Sequence, residues 1–272
     1  MKRFILPKKP MGGGGYYAGR NIVAELGTKF NTRLLTVIFG KSSTRSFAFT
    51  LAEVLITLGI IGIVAAMTMP TLIGKYRKQE TIAKLQKVYS TLNQALKRSE
   101  VDNGDKKYWP RGFDIGNKNY FNTYWAPYLK VVKVCKTYKD CGYNRSGPWT
   151  YLNGTECPTS VAVPAERTTI YLPDGILAVF LTSTIDGENG ELVPVEYIII
   201  DLNGGRGPNT FGIDTFYFVI VDNNLAKGIM PQGYNQPQDL INTSCSSNGD
   251  GSYCVAKIMH DGWKITEDYP FK

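Results

Sequence analysis

The pattern of hydrophobic and polar positions divides the chain into a long helical part and a later part with strand-like spacing. Between Glu53 and Lys75 lie 21 residues without a charge, and a helix of that length spans about 30 Å, the thickness of a bilayer's hydrocarbon core. The pattern therefore predicts a transmembrane helix over residues 54–74. The helix continues to about Glu100, because apolar residues then recur at three- and four-residue steps on one face. These residues are Ile82, Leu85, Val88, Tyr89, Leu92 and Leu96.

Four β-strands are predicted after Thr168, where the spacing changes. They cover residues 169–172, 176–181, 195–201 and 215–221. The first two flank Pro173-Asp174-Gly175, which is typical of a hairpin turn, and the short connections favour an antiparallel meander. The predicted fold class is α+β. A long N-terminal helix, residues 49–100, packs on the antiparallel sheet of a head formed by residues 101–272.

Residues 101–165 combine loop signals with many aromatic side chains. A short helix is predicted for Tyr120–Val134, and the rest is interpreted as loop. The aromatic residues are interpreted as a satellite core, a small hydrophobic cluster beneath a long loop segment. A ligand-binding or sugar-binding platform is the alternative. They are Tyr108, Trp109, Tyr120, Phe121, Tyr124, Trp125 and Tyr128.

The formal net charge of +8 is concentrated at the N-terminus. Residues 1–48 hold nine basic residues and one acidic residue, which accounts for the whole net charge, and the chain from Phe49 onward is balanced. This balance removes the argument for a nucleic-acid-binding protein. A basic segment ahead of a span predicts a single-pass membrane protein with a cytoplasmic N-terminus and an extracytoplasmic head.

A secretory signal peptide is the alternative explanation for a basic segment joined to an apolar one. Signal peptides have an apolar core of about 7 to 15 residues, followed by a small-residue cleavage site. Here the apolar stretch has 21 residues and a charged helix follows it, so a membrane anchor is favoured. Residues 1–48 are interpreted as a cytoplasmic leader, and Met11 is an alternative to Met1 as its start.

The residues just before the span carry the most specific signal in the sequence. Ala48-Phe49-Thr50-Leu51-Ala52-Glu53 is followed at once by Val54-Leu55-Ile56, and a carboxylate at the mouth of an apolar helix is costly to desolvate. This stretch resembles the processing site of type IV prepilins and type II secretion pseudopilins, where the residue before the cut is usually glycine. The resemblance implies cleavage between Ala48 and Phe49, N-methylation of Phe49 and an assembly role for Glu53. Pro70, the twenty-second residue counted from Phe49, matches a proline of that family.

The same resemblance implies a pilin-like fold and a structural subunit of a type IV pilus or a type II secretion pseudopilus. Its implied partners are a prepilin peptidase/methylase, other pilin or pseudopilin subunits, and an assembly platform of the inner membrane. The subunits polymerise through their N-terminal helices into a surface or periplasmic filament. The sequence leaves open whether the filament is a pilus or a pseudopilus and whether the chain is its major or a minor subunit. The alternative function is a single-pass membrane protein whose head binds a ligand or surface as a monomer.

Two roles are open for Glu53. In an assembled filament its carboxylate would offset the positive amine of a neighbour's Phe49, which otherwise lies unpaired among apolar helices. The simpler role is that of a favourable anion at a helix N-terminus, worth about 0.3 to 1 kcal/mol.

Five cysteines lie beyond the predicted span, on the side where disulfides form. Cys245 and Cys254 bracket a turn-rich loop, and closing that ring is worth roughly 2.5 to 3 kcal/mol in the chain-entropy model, so we predict a disulfide between them. Among the other three, Cys135 with Cys141 gives the shortest closure and leaves Cys157 odd, but sequence alone leaves the pairing open. A zinc site is disfavoured, because the chain has no Cys-x-x-Cys motif and a single histidine.

No catalytic signature is recognised, and the protein is predicted not to be an enzyme. The sequence lacks a nucleophile elbow, a zinc-protease motif and a phosphate-binding loop, and its one histidine is His260. No cofactor is predicted except calcium as a weak candidate, with Asp201, Asn203 and Asp214 as oxygen ligands. Turn formation is the favoured role of these three side chains. Their segment, Asp201–Phe216, is similar to a strand-turn-strand stretch of pseudopilin-like heads. The heads of major pseudopilins hold calcium.

Overall fold

The computed structural model describes residues 49–161, 167–186, 192–222 and 226–271. The chain divides into two compact units, the first ending at Leu58 and the second running from Gly59. The predicted leader, residues 1–48, lies outside the described residues, and so does Ala48 on one side of the predicted cleavage site. The boundaries at residues 48 and 100 therefore stay predictions.

The N-terminal helix, α1, runs from Leu51 to Asn103 without interruption and includes Pro70. It ends at Asn103, and Gly104 follows with φ +79°, a conformation that glycine adopts at little cost. The apolar face of the predicted helix is confirmed. Its buried residues are Leu85, Val88, Leu92, Ala95, Leu96 and Ser99.

The head contains one sheet of six antiparallel strands, each paired with its neighbours along the chain. They are β1 (Lys133–Cys135), β2 (Arg167–Tyr171), β3 (Leu177–Asp186), β4 (Leu192–Asp201), β5 (Thr215–Asp222) and β6 (Lys227–Pro231). The predicted meander is confirmed, but its count of about four strands is wrong. The two missed strands form the edges of the sheet. β1 has only three residues, and β6 contains Gly228 and ends at Pro231, residues that weaken a strand pattern.

The predicted helix over Tyr120–Val134 is also corrected. The structure has two short helices, α2 (Gly112–Ile115) and α3 (Asn117–Tyr124), followed by one 3-10 turn at Ala126–Tyr128 and then by β1. Trp125 leaves the helical conformation with φ −124°, and Pro127 has no backbone N–H that could continue the helix, so α3 ends before the turn. Two more helices, α4 (Gln238–Ser244) and α5 (Cys254–His260), close the head.

The sheet is buried on both faces. On one face α1, α3 and α5 pack on alternate strand residues such as Phe180, Ile198 and Phe218. The aromatic residues around α3 belong to this main core and not to a satellite cluster, since Phe121 and Trp125 are buried within it. A second cluster covers the opposite face. It comprises Cys135, Cys141, Tyr143, Trp149, Cys157, Val161, Leu177, Val179, Ile199 and Phe211.

The edge strand β6 is covered by a side chain of α1. The backbone N–H of Ile229 donates to Asn93 Oδ1 at 3.2 Å, and Asn93 Nδ2 donates to the carbonyl of Tyr89 at 3.0 Å. An unpaired strand edge is a template for pairing with another chain. Asn93 therefore satisfies a backbone group at an edge that would otherwise be open, and it fixes α1 against the sheet.

Candidate functional site

The carboxylate of Glu53 lies at the N-terminus of α1 and is held by Thr50. The backbone N–H and the hydroxyl of Thr50 donate to Glu53 Oε2 at 2.8 and 2.9 Å, and the N–H of Glu53 donates to Thr50 Oγ1 at 3.2 Å. This is a capping box, in which a threonine and a glutamate three residues later satisfy each other's free backbone N–H groups. Thr50 was missed as a functional residue, although the Thr-x-x-Glu spacing before an apolar run is a signal for it.

Large apolar side chains remain exposed along the first part of α1. Phe49, before the helix, is 80% exposed, and Met67 is 74% exposed. The same holds for Leu51, Leu55, Ile56, Leu58, Ile60, Ile61, Ile63, Val64, Met69 and Leu72. Among the described residues, α1 is the one helix long and apolar enough to cross a membrane. These features are consistent with membrane anchoring.

Two open clefts lie along α1 within the second unit. One, of about 470 Å³, is lined by Met69, Pro70, Ile73 and Phe271 among others. The second, of about 580 Å³, is lined by Ile82 of α1 and by residues 263–267. Both have mostly apolar walls. Pro70 thus lies at a helix surface that the described side chains leave partly uncovered.

The structure brings together the three residues predicted to form a turn or to bind calcium. Asp201 ends β4 and Asp214 precedes β5, and Asn203 bridges them, because its N–H donates to Asp201 Oδ1 at 3.1 Å and its Nδ2 to Asp214 Oδ2 at 3.1 Å. The carboxylate of Asp214 also accepts the backbone N–H groups of Asn209 at 2.9 Å and Thr210 at 2.7 Å. The geometry is that of a tight turn held together by side-chain hydrogen bonds.

Asp201 is completely buried beneath this turn. Its Oδ2 accepts hydrogen bonds from the Tyr143 hydroxyl at 2.7 Å and from Trp149 Nε1 at 3.2 Å. Burial raises the pKa of Asp201 to about 7, and the charge of Asp214 adds to the rise, while the hydrogen-bond donors oppose it. Burial likewise raises the pKa of Asp214. Tyr143 and Trp149 were not predicted as partners, because they lie more than 50 residues earlier in the chain.

The carboxylate oxygens of this turn are better suited to accepting hydrogen bonds than to binding calcium. Calcium binds six to eight oxygen atoms, whereas here N–H and O–H groups already donate to all four carboxylate oxygens of Asp201 and Asp214. Two buried amide oxygens, of Asn203 and Asn209, accept no hydrogen bond in the described chain. Nowhere in the described ranges do three or more His, Cys, Asp or Glu residues form a group that could hold a metal ion.

The cysteines fall into one bonded pair and three thiols. Cys245 and Cys254 are bonded, with their Cα atoms 4.8 Å apart, and they join the end of α4 to the start of α5. Cys135, Cys141 and Cys157 are buried and unbonded. His260, by contrast, ends α5 with its side chain 62% exposed and 3.5 Å from Asp261.

Comparisons with known proteins identify a family but no activity. Residues 71–272 match the model of a family of unknown function (DUF6613), so the chain belongs to that family. No curated protein and no solved structure matches the chain. The match begins at Thr71 and therefore covers the head and most of α1, but not the residues that resemble a prepilin processing site.

Proposed function

We propose that this chain is a membrane-anchored structural subunit of a filament of the type IV pilus or type II secretion pseudopilus class. A prepilin peptidase cuts between Ala48 and Phe49 and methylates the new amine. Residues 54–74 then anchor the subunit in the inner membrane with the head outside. The subunit enters the filament through an assembly platform, by packing its N-terminal helix against the helices of other subunits.

The observation that carries this proposal is that the first part of α1 is apolar and has a single charge. From Phe49 to Gly74 the one ionisable side chain is Glu53, and the large apolar residues around it are exposed in the single chain. Such a surface needs lipid or other helices to cover it. A carboxylate at that place is costly in either environment, so it needs a compensating positive group.

The capping box supplies only part of that compensation. Thr50 gives the Glu53 carboxylate two neutral donors, and an N-terminal cap is typically worth about 1 kcal/mol. A neighbour's Phe49 amine supplies a full opposite charge, and in an apolar surrounding removing one partner of such a pair costs about 3 to 5 kcal/mol. We therefore assign Glu53 a capping role in the single chain and a charge-pairing role between subunits.

Processing is tested first. Co-expression with a prepilin peptidase should remove residues 1–48 and leave Phe49 methylated, because the motif places the cut at Ala48. Intact-mass spectrometry measures both changes at once. A chain that stays uncut, or one cut beyond Ala66, would contradict the proposal, and the latter would favour a secretory signal peptide.

Assembly is tested with Glu53→Val and Glu53→Gln, and Thr50→Ala serves as the matched control. Thr50→Ala removes the side-chain part of the capping box but keeps the carboxylate, whereas both Glu53 variants remove the charge. If charge pairing matters, the Glu53 variants should be inserted and cut normally but co-sediment poorly with filaments, while Thr50→Ala should co-sediment like the unmodified chain. Equal loss in Thr50→Ala would leave capping as the sole role of Glu53. If even the unmodified chain enters no filament, the subunit proposal is wrong and a monomeric surface-binding protein gains support.

A further inference from the structure

Two buried cysteines at the edge of the sheet, Cys135 and Cys141, lie at the two ends of one turn. Cys135 is the last residue of β1, and the chain then makes one tight turn. The N–H of Cys141 donates to the carbonyl of Thr137 at 3.2 Å, and Thr137 and Asp140 cap each other through their side chains at 3.0 and 3.2 Å. This turn reverses the chain, and Cys135 and Cys141 are both buried in the cluster on one face of the sheet.

Both ends of this turn are fastened to strand β2. Cys135 pairs with Thr169 in the β1–β2 ladder, and the hydroxyl of Tyr171 donates to the carbonyl of Cys141 at 2.6 Å. Lys133 Nζ also donates to the carbonyl of Asp140. The backbone positions of the two cysteines are therefore fixed by the sheet and by the capped turn.

Cys157 belongs to the same buried cluster but has different neighbours. Its N–H donates to the carbonyl of Trp149 at 3.0 Å, and its sulfur lies 3.9 Å from the hydroxyl of Tyr217. Tyr151 packs against the same cluster. Cys135 and Cys141 lie at the two ends of one turn, whereas Cys157 lies in a later segment, and this arrangement favours the shortest closure.

We propose that Cys135 and Cys141 form a second disulfide in the exported head, which fastens the three-residue edge strand β1 and leaves Cys157 as the one remaining thiol. The inference rests on the proposed extracytoplasmic position of the head, where a disulfide oxidant is present. The oxidant is a disulfide of the thiol–disulfide oxidoreductase class.

The exchange is balanced in two steps. The Cys135 thiolate attacks one sulfur of the oxidant's disulfide and expels the other as a thiolate. Cys141 then gives up its proton and attacks the Cys135 sulfur, which releases the oxidant as a dithiol. Cys135 is the first nucleophile, because it keeps 7% exposure whereas Cys141 has none. In addition, the Cys141 side chain lowers the pKa of the Cys135 thiol.

The test is peptide mapping of the full chain, purified from bacterial membranes, alkylated with iodoacetamide in denaturant and digested with trypsin without reduction. Lys136 and Lys139 lie between the two cysteines, so cleavage there leaves peptide 134–136 linked to peptide 140–145 only if the disulfide exists. Peptide 146–167 should carry the alkylated Cys157. Peptide 228–257 contains both Cys245 and Cys254 and reports on the predicted disulfide in the same digest.

The disulfide between Cys245 and Cys254 makes the outcomes distinguishable. If Cys245 and Cys254 are bonded but Cys135 and Cys141 are both alkylated, the inference fails while the exported head stands. If all five cysteines are alkylated, both the inference and the proposed topology fail. A link from Cys157 to either partner would refute the assigned pairing. Cys157→Ser is the matched variant, and it should leave the linked peptides unchanged and remove the remaining alkylation.

Discussion

The buried carboxylate of Asp201 predicts that the head is more stable in mild acid than at neutral pH. In the folded chain Asp201 has no exposed surface, and burial together with the charge of Asp214 raises its pKa to about 7. In the unfolded chain an aspartate has a pKa near 3.9. The folded state therefore binds a proton more tightly than the unfolded state does, and the perturbation is simply a change of pH between 5 and 8.

The direction and the size of the pH effect on the free energy of unfolding follow from this difference in proton binding. Stability from a raised carboxyl pKa is fully present below about pH 4 and is lost as the pH rises through about 7. Each pH unit inside this window changes the free energy of unfolding by at most about 1.4 kcal/mol. From pH 5 to pH 8 the expected loss is roughly 2.5 kcal/mol, and the burial that raises the pKa of Asp214 acts in the same direction.

The assay is urea unfolding of the full chain in detergent, followed by tryptophan fluorescence, because all four tryptophans lie beyond the predicted span. Asp201→Asn removes the titrating group. It leaves a constant offset from the changed hydrogen bonds, so the difference in unfolding free energy between the two proteins isolates the linkage. That difference should move by roughly 2.5 kcal/mol in favour of the unmodified chain as the pH falls from 8 to 5.

Asp239→Asn, which changes an exposed carboxylate on α4, is the control and should show no such pH-dependent difference. A difference for Asp201→Asn that stays constant over this range would refute the reasoning. It would mean that the donors of Tyr143 and Trp149 hold the carboxylate ionised despite its burial.

Three further predictions concern single contacts. Replacing Cys245 and Cys254 with serine should lower the thermal midpoint of the head, with a loss of roughly 3 kcal/mol at most; an unchanged melting curve would mean that the pair is reduced in the exported protein. Asn93→Ala should cost about 1 to 3 kcal/mol in urea unfolding, because it leaves the N–H of Ile229 without its acceptor, whereas a neutral change would show that water replaces the amide. Adding Ca²⁺ after chelation should leave the midpoint unchanged, because N–H groups already occupy the carboxylate of Asp214; a rise would assign the turn to a cation.

The elements with a strong local signal were predictable from the sequence. The apolar spacing along α1 identified its buried face, and Pro173-Asp174-Gly175 identified the hairpin between β2 and β3, where Asp174 and Gly175 both adopt positive φ. The turn-rich loop bracketed by Cys245 and Cys254 likewise indicated the bonded pair. In each case a few adjacent residues determine the conformation, so no distant contact is needed to infer it.

The second buried face of the sheet was not predicted, and with it the surroundings of Asp201 and of the three thiols were missed. Those surroundings depend on the segment from Cys135 to Val161, which has little regular structure and acquires its place only by covering the sheet. One signal was available. Three consecutive isoleucines, Ile198–Ile200, indicate a strand buried on both sides, since a strand with one wet face alternates apolar and polar residues.

The burial of α1 separates what stabilises the head from what the rest of the helix does. Buried positions begin at Leu85, and no described side chain between Leu51 and Gly74 is buried, although that part of the helix is mostly apolar. The free energy of folding the head therefore leaves this apolar surface unused, and covering it with lipid or with helices of other subunits is what favours insertion or assembly. Glu53 is the one charge on that surface, so its substitution should change assembly while the core from Leu85 onward folds as before.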